Sequence, residues 1–402
     1  MLEAEATNSP LYVRAATYLG LRPVILSADP SRYDYLIAAN CEAIRVDTSN
    51  IEAMISACTK FSSTTTIAGI TSAQESVYPA VGKLCKYFSL PGPQAAAVER
   101  CCDKFVQRQI LAAADIPVPT YGLAANATEA ERCAAEIGFP VVVKPATGIG
   151  SMGVRLCRDV VELAEHTASL LGEHQIRRSP SRILVEQFAN GDHYTVEMVG
   201  GDVIGIGAAD FGRPPHFVCR EYVYPALLDD EQRMRIVDVS QSCLRALGLD
   251  WGPTNIDLRL TKGGPVVIEV NPRLAALPNS ELIRFAYGID PVLEHIKLAI
   301  GKECRLRPSA SNTAAARVLV ADRDGTLNWI QGDRRAKAIP GVADVKLFIK
   351  PNTSIVRKGD CRDRIGYVIA VSRNPAQAIA ALERATELIK WSITPSSVLA
   401  NT

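Results

Sequence analysis

The sequence has little that would serve a membrane protein, a zinc protein or a secreted disulfide scaffold. No apolar run approaches the ~20 residues that a helix needs to cross a bilayer, and no secretion signal opens the chain. The five histidines show no H-x-H or H-E-x-x-H spacing, and the 11 cysteines include no C-x-x-C pair. These absences argue against a structural zinc site and favour reduced thiols. We therefore expect a cytoplasmic protein with no membrane partner.

Neither sign of charge dominates the chain. Lys and Arg number 44 against 43 Asp and Glu, which leaves a formal net charge of +1. Such a balance provides no overall field for a polyanion, so no nucleic-acid partner is expected. The 402 residues, 48% of them apolar and 22% charged, predict a globular protein of two to three domains.

Three common catalytic motifs are missing as well. The chain has neither a G-x-S-x-G elbow nor a G-x-x-x-x-G-K-[ST] loop, and no G-x-G-x-x-G follows an early strand. Serine hydrolase, P-loop and dinucleotide-binding functions are therefore disfavoured.

The first hundred residues alternate β-branched runs with amphipathic segments. Strands are expected at 24–26, 43–46 and 66–70, which predicts a small parallel α/β unit. The two prolines and the glycine of 90–93 interrupt both helix and strand, so the first domain boundary is placed there.

The next segment combines two lysines with a glycine-rich loop. A helix is expected over 95–114, which contains Lys104, and a buried strand is expected over 140–145, which contains Lys144. The loop 147–153 holds three glycines and leads into another apolar run. A hairpin of this kind has a flexible tip that can fold over a ligand.

Further strands and one long helix complete the pattern. The helix is expected over 229–247, with Gly248 as its C-cap. Beyond residue 304 the pattern is mixed α/β. Strands are expected at 182–188, 193–199, 255–260, 265–270, 317–320 and 367–371.

Oxygen ligands are concentrated on the strand pair around the turn 262–264. Asp257 and Glu269 fall on the two paired strands, and the period-2 alternation of a strand directs Glu269, Asn271 and Arg273 to the same side. Two carboxylates and an amide without imidazole or thiolate are the ligands that Mg²⁺ prefers, often together with substrate phosphates. The pair therefore predicts a metal–nucleotide site.

Lys104, Lys144 and the backbone N–H groups of the loop 147–153 add a means of binding polyphosphate without a Walker motif. Each feature alone is common at protein surfaces, and only their order along the chain gives them weight.

That order resembles the ATP-grasp superfamily of carboxylate–amine ligases, most closely its amino-acid ligase and biotin-carboxylase-like branches. The resemblance covers nearly the whole chain. It rests on these motifs: Asp103-Lys104, Val142-Val143-Lys144-Pro145, Gly148-x-Gly150-x-x-Gly153, Val185-Glu186-Gln187-Phe188, Asp257 and Glu269-Val270-Asn271-Pro272-Arg273.

The resemblance implies an α/β fold that is α+β in the grasp domain. An N-terminal Rossmann-like pre-grasp domain would span 1–93, and the ATP-grasp domain would span 94–303. Within the latter, a small lobe at about 120–190 would carry the glycine-rich lid. A C-terminal mixed α/β lobe would span 304–402 and complete the ligase.

The resemblance also implies roles for particular residues. Lys104 and Lys144 would hold the α- and β-phosphates, with Phe188 lining the adenine slot. Arg273 would stabilise the transferred phosphoryl group, and Arg220 would approach the γ-phosphate. The remaining nucleotide contacts would come from Gly148, Gly150, Ser151, Met152, Gly153, Glu186, Gln187, Ala189 and Glu197, and the metal ligands would be Asp257, Glu269 and Asn271.

Two positions depart from the usual pattern of the family. Asp257 stands where glutamate is common, and Asn255 stands where many amino-acid ligases carry a histidine.

The implied function is an ATP-dependent ligase that joins an amino acid or small carboxylate to an amino acid or amine through an acyl phosphate. ATP and Mg²⁺, or Mn²⁺, would be the cofactors, with two ions, and a homodimer would be the assembly. A biotin-carboxylase-like or purine-pathway ligase and a nucleotide-binding sensor without turnover remain open. The sequence does not choose the substrates.

Overall fold

A computed structural model describes residues 1–3, 8–172 and 182–395. None of the helices in these ranges combines the length and the apolar character that crossing a bilayer requires. The structure is mixed α/β, as expected.

The N-terminal region is built on two parallel strands, β1 and β2, with Val24 paired to Glu42. The expected third strand at 66–70 is wrong, because those residues form no ladder. Leu2 bridges to Leu26 instead and donates its N–H to Thr71 O, so the 66–70 segment runs beside the sheet without joining it. The elements here are α1 (Ser9–Tyr18), β1 (Val24–Ser27), α2 (Asp34–Ala38), β2 (Glu42–Arg45), α3 (Ile51–Ser62) and α4 (Tyr78–Tyr87).

Two helices replace the single helix expected over 95–114. They are α5 (Ala95–Cys101) and α6 (Lys104–Ala113). The helix is interrupted at Asp103, because the Asp103 side chain accepts hydrogen bonds from the N–H groups of Phe105 and Val106 and so caps the N-terminus of α6. This break makes Lys104 the first residue of a helix.

The small lobe is an antiparallel sheet of four strands in the order β3-β6-β4-β5. Its buried face packs against α7 and α8. The glycine-rich loop joins β4 to β5, which confirms the expected hairpin. The elements are β3 (Tyr121–Ala124), α7 (Ala127–Ile137), β4 (Val141–Pro145), β5 (Arg155–Cys157), α8 (Val160–Gly172) and β6 (Ile183–Gln187).

The largest sheet has eight strands in the order β11-β10-β7-β8-β9-β12-β16-β14. The helix α9 begins at an Asp229 capping box with Gln232 and ends at Gly248 (φ 72°), as expected. The elements are β7 (Asp192–Val199), β8 (Asp202–Asp210), β9 (Glu221–Tyr224), α9 (Asp230–Leu247), β10 (Pro253–Thr261), β11 (Gly264–Asn271), α10 (Asn279–Tyr287), α11 (Pro291–Ala299) and β12 (Thr313–Val320).

The C-terminal part of the chain continues this sheet across residue 304, because β12 pairs with β9 in the register Ala316 to Tyr222. A separate sheet has the order β15-β13-β17. The domain boundaries at 93/94 and 303/304 stay predictions. The remaining elements are β13 (Gly325–Gln331), α12 (Asp333–Lys337), β14 (Val342–Leu347), β15 (Ser354–Ile355), β16 (Arg364–Ser372), α13 (Pro375–Leu388) and β17 (Lys390–Thr394).

Candidate active site

Two carboxylates face each other on the β10–β11 hairpin. Asp257 pairs directly with Glu269, and both side chains line the same cavity between the small lobe and the large sheet. About a quarter of each side chain is exposed, 24% for Asp257 and 22% for Glu269. The hairpin thus presents two acids together at the edge of a cavity, where a cation can reach both.

Lys104 links the start of α6 to this hairpin. Its Nζ lies 2.8 Å from Glu269 Oε1 and donates to Gly148 O at 2.6 Å. This lysine therefore ties the acid pair to the glycine-rich loop. Lys104 also holds the pKa of Glu269 below its usual value, although burial alone would raise it.

Lys144 enters the cavity from β4 and is nearly buried. Its Nζ lies 2.5 Å from Glu186 Oε2, and Arg108 Nε donates to Glu186 Oε1 at 2.6 Å. Burial opposes the charge of Glu186, but the two cations outweigh it and lower the pKa of the carboxyl. Burial lowers the pKa of Lys144 in turn. Glu186 therefore holds the Lys144 side chain in place. The expected contacts of Lys144 and Glu186 with the nucleotide stay predictions.

Arg108 was missed by the sequence analysis. It is fully buried on α6, four residues after Lys104, and also donates to Ile268 O on β11. The spacing Lys104-x-x-x-Arg108 places both cations on one helix face, which is the signal that could have identified it.

An aromatic group forms one wall of the cavity. The Arg259 guanidinium lies 5.1 Å from the ring centre of Phe188 and 6.0 Å from that of Phe217. Arg259 follows Asp257 by two residues on β10, so the alternation of the strand could have indicated it. The expected residues that line the cavity are Lys104, Lys144, Gly148, Ser151, Met152, Glu186, Gln187, Phe188, Ala189, Asp257 and Glu269.

The glycine-rich loop needs its glycines for different reasons. Gly150 has φ 64°, and a Cβ there would collide with the Sγ atom of Cys361. The backbone N–H of Cys361 donates to Gly150 O at 3.1 Å. Gly153 has φ 70°, and a Cβ there would meet Leu170 and Pro145. The loop therefore packs closely against the C-terminal part of the chain, although Gly150 and Gly153 do not line the cavity.

A second set of expected site residues lies one layer behind the cavity wall. Arg273 Nε is 2.9 Å from Glu75 Oε2, and an Arg273 amino group donates to Asn271 Oδ1 at 3.3 Å. Glu197 is only 1% exposed and accepts from Asn255 Nδ2 at 3.0 Å. Burial raises the pKa of Glu197 to about 8. The structure thus brings Arg273, Asn271 and Glu197 close to the acid pair without placing them on the cavity wall.

Arg220 lies elsewhere. It is exposed in the loop before β9, and it lines an outer cavity beside Arg213 and Lys358 instead of the nucleotide cavity. The backbone N–H of Arg220 donates to Asp210 O, and the backbone carbonyl of Arg220 accepts from the N–H of Val318. The expected approach of Arg220 to a γ-phosphate finds no support in this position.

Asp257 and Glu269 fit a hard divalent cation. Asp257 Oδ1 lies 3.3 Å from His193 Nε2 and Glu269 Oε1 accepts from Lys104, while the second oxygen of each has no partner among the described residues. Within the same ranges no group of three or more His, Cys, Asp or Glu side chains is arranged to hold a metal ion by itself. The protein donor set is therefore two carboxylates, and Mg²⁺ is usually bound by one or two carboxylates together with waters and substrate phosphates. Asn271 as a third ligand stays a prediction, because its oxygen accepts from Arg273.

Comparison with known proteins places this geometry in a family. Residues 103–307, about half of the chain, match the model of the carbamoyl-phosphate synthase L chain ATP-binding domain, and residues 317–394 match the L-amino acid ligase C-terminal domain 2. The chain belongs to the ATP-grasp carboxylate–amine ligases. Ligases of this family use ATP and Mg²⁺ and act on small molecules.

Three similar proteins illustrate the range of this ATP-grasp family. An uncharacterized protein of Sinorhizobium fredii, y4rH, is 55% identical over 99% of this chain and 84% of its own. Human carnosine synthase 1 is 29% identical over 58% of this chain, which corresponds to only 30% of that enzyme. The crystal structure of L-amino acid ligase from Bacillus licheniformis superposes with a TM-score of 0.80 over 96% of both chains at 22% identity, and this likeness concerns the fold.

Proposed function

We propose that this ATP-grasp ligase joins the carboxylate of an amino acid or small acid to the amine of a second amino acid or amine, with release of ADP and phosphate. One observation carries the proposal. Asp257 and Glu269 face each other with free oxygens in the cavity that also contains Lys104 and Lys144. That arrangement combines carboxylates that would bind a cation with lysines that would bind phosphate.

The reaction needs two steps because direct condensation of a carboxylate with an amine is unfavourable in water. First, a carboxylate oxygen attacks the γ-phosphorus of ATP, ADP leaves and an acyl phosphate forms. The amine nitrogen then attacks the acyl carbon, phosphate departs and the nitrogen loses a proton. Transfer of a phosphoryl group depends mainly on positioning and on cations near its oxygens.

The residues of the chain supply the positioning. Lys104 and Lys144 would bind the phosphates, and Phe188 with Arg259 would hold the base. Asp257 and Glu269 would hold Mg²⁺ or Mn²⁺, two ions in our proposal, whose charge would offset that of the phosphates. Arg273, which lies behind the cavity wall, would add positive charge close to Asp257 and Glu269. The lid would exclude water, which would otherwise hydrolyse the acyl phosphate.

A coupled assay of ADP release tests the proposal. The purified protein is given Mg²⁺, ATP and every pair of the twenty amino acids, and products are identified by mass spectrometry. We expect ADP release that depends on a particular pair and yields a product lighter than the two substrates by one water. Release with bicarbonate and biotin instead would indicate a carboxylase. Nucleotide binding without ADP release from any mixture would indicate a sensor.

The homodimer implied by the resemblance and the cytoplasmic location expected from the sequence remain predictions. Light scattering on the purified chain tests the first, and fractionation of the producing cells tests the second.

A further inference from the structure

Glu75 is a buried carboxylate of the N-terminal region that the reaction outlined above does not use. It begins a short 3₁₀ helix, residues 75–77, and is only 9% exposed. Its Oε2 lies 2.9 Å from Arg273 Nε. That oxygen accepts no aligned hydrogen bond among the described residues, so the attraction between opposite charges holds the pair together. Glu75 therefore fixes the place of the Arg273 guanidinium.

The Arg273 guanidinium also lies close to the acid pair of the hairpin. One of its amino groups donates to Asn271 Oδ1 at 3.3 Å, and Asn271 follows Glu269 by two residues on the same face of β11. Two such positions are about 7 Å apart, which is within the swing of an arginine side chain. Burial lowers the pKa of Arg273, but Glu75, Glu269 and Asp257 raise it further, so all three carboxylates attract this cation.

A guanidinium and a divalent cation would compete for the same oxygens. Glu269 Oε1 accepts from Lys104 and Asp257 Oδ1 lies beside His193, while the second oxygen of each acid has no partner among the described residues. An arginine that turned to those oxygens would form a strong planar contact with the carboxylates. It would then occupy the positions that a metal ion needs.

We propose that Glu75 keeps Arg273 away from Asp257 and Glu269, and so keeps this acid pair open to a divalent cation. Glu75 is a positioning residue, because it acts through Arg273 and not by contact with the cation. The N-terminal region thereby controls a cation site that lies on β10 and β11. The inference rests on the cation site of the proposed function, and it does not depend on which acid and amine react.

Binding of Mn²⁺ to the nucleotide-free protein tests the inference without any turnover. The EPR signal of free Mn²⁺ falls as the ion binds, and its titration gives Kd. Glu75→Gln removes the negative charge that holds Arg273 but keeps the shape of the side chain, so Arg273 is free to turn to the acid pair. We expect Kd for Mn²⁺ to rise about tenfold to 150-fold, the scale of one charge-assisted hydrogen bond.

A double-mutant cycle separates this competition from the simple loss of a nearby negative charge. In the Arg273→Met background no guanidinium is left to compete, so Glu75→Gln should change Kd there by less than about threefold. If Glu75→Gln raises Kd by the same factor with and without Arg273, Glu75 acts through its own charge, and the inference is overturned.

Two further variants control the test. Glu99→Gln removes a half-exposed acid of α5 that pairs with Lys83 at 2.7 Å, and it should leave Kd for Mn²⁺ unchanged. Glu75→Asp keeps the charge but withdraws it from Arg273 by one methylene, so Kd should rise by a smaller factor. If Glu75→Gln does not fold, the aspartate variant decides, and an unchanged Kd there overturns the inference.

The outcomes separate this inference from the proposed function. An unchanged Kd in folded Glu75→Gln, in a protein that releases ADP with a substrate pair, overturns the role of Glu75 alone. Weaker Mn²⁺ binding that depends on Arg273, in a protein that releases no ADP with any pair, supports the inference and overturns the proposed function. A wild type that binds no Mn²⁺ overturns the cation site, and both proposals with it.

Discussion

Replacement of Lys144 by methionine tests whether Lys144 binds the nucleotide in addition to stabilising the fold. The variant keeps a side chain of similar length on β4 but removes the cation 2.5 Å from Glu186. Loss of one member of a buried ion pair costs about 3–5 kcal/mol. Because Glu186 keeps Arg108 at 2.6 Å, we expect the lower end of that range, about 3 kcal/mol.

The variant should also weaken the binding of MgATP, which is measured separately from the free energy of unfolding. One charge-assisted hydrogen bond to phosphate contributes about 1.5–3 kcal/mol, so Kd for MgATP should rise about tenfold to 150-fold. Calorimetric titration measures the Kd, and urea unfolding measures the stability.

A matched control lies in the same lobe. Arg158→Met removes an exposed cation that pairs with Glu162 at 2.9 Å, and it should change neither quantity measurably. A folded Lys144→Met protein whose Kd stays within about threefold of wild type would refute the phosphate-binding role.

Three other perturbations test the rest of the site. Glu269→Gln should lower turnover about a hundredfold or more, the scale of one lost electrostatic contact at a reacting group, with little change in thermal midpoint; an unfolded variant would assign Glu269 to structure. Gly150→Ala places a side chain at φ 64° and against Cys361, so KM for ATP should rise. The control Gly201→Ala, where a Cβ meets nothing within 4 Å, should keep the wild-type KM. The same KM for ATP in both variants would contradict the close packing of the lid against Cys361. Glu197 has its pKa raised from 4.5 to about 8, so its contribution to stability is complete below pH 4.5 and is lost as pH rises towards 8. Relative to Glu197→Gln, the wild type should lose up to about 1.4 kcal/mol per pH unit across that window in urea unfolding, and parallel pH profiles would contradict the raised pKa.

Local rules were sufficient where neighbours in sequence fix the backbone. Alternation places Asp257 and Glu269 on the two paired strands, and the turn fixes the register as far as Leu258 with Val267. A bulge beyond that pair shifts the register by one residue and brings Asp257 opposite Glu269. The cap of α9 likewise follows from side chains close by in the chain. The 66–70 segment shows the limit of such rules, because a β-branched run becomes a strand only if a partner is free to pair with it.

The sequence by itself determined the hairpin, the two lysines and the glycine-rich loop, because each depends on periodicity or on the conformational range of one residue type. Only the tertiary structure decided which charges meet. Arg108 reaches Glu186 across 78 positions, and Glu75 from the N-terminal region holds Arg273. Tertiary structure likewise decided that Arg220 lines a second cavity, and its approach to the γ-phosphate stays a prediction. The direction in which a loop side chain points is set by packing against distant strands, and no local pattern records it.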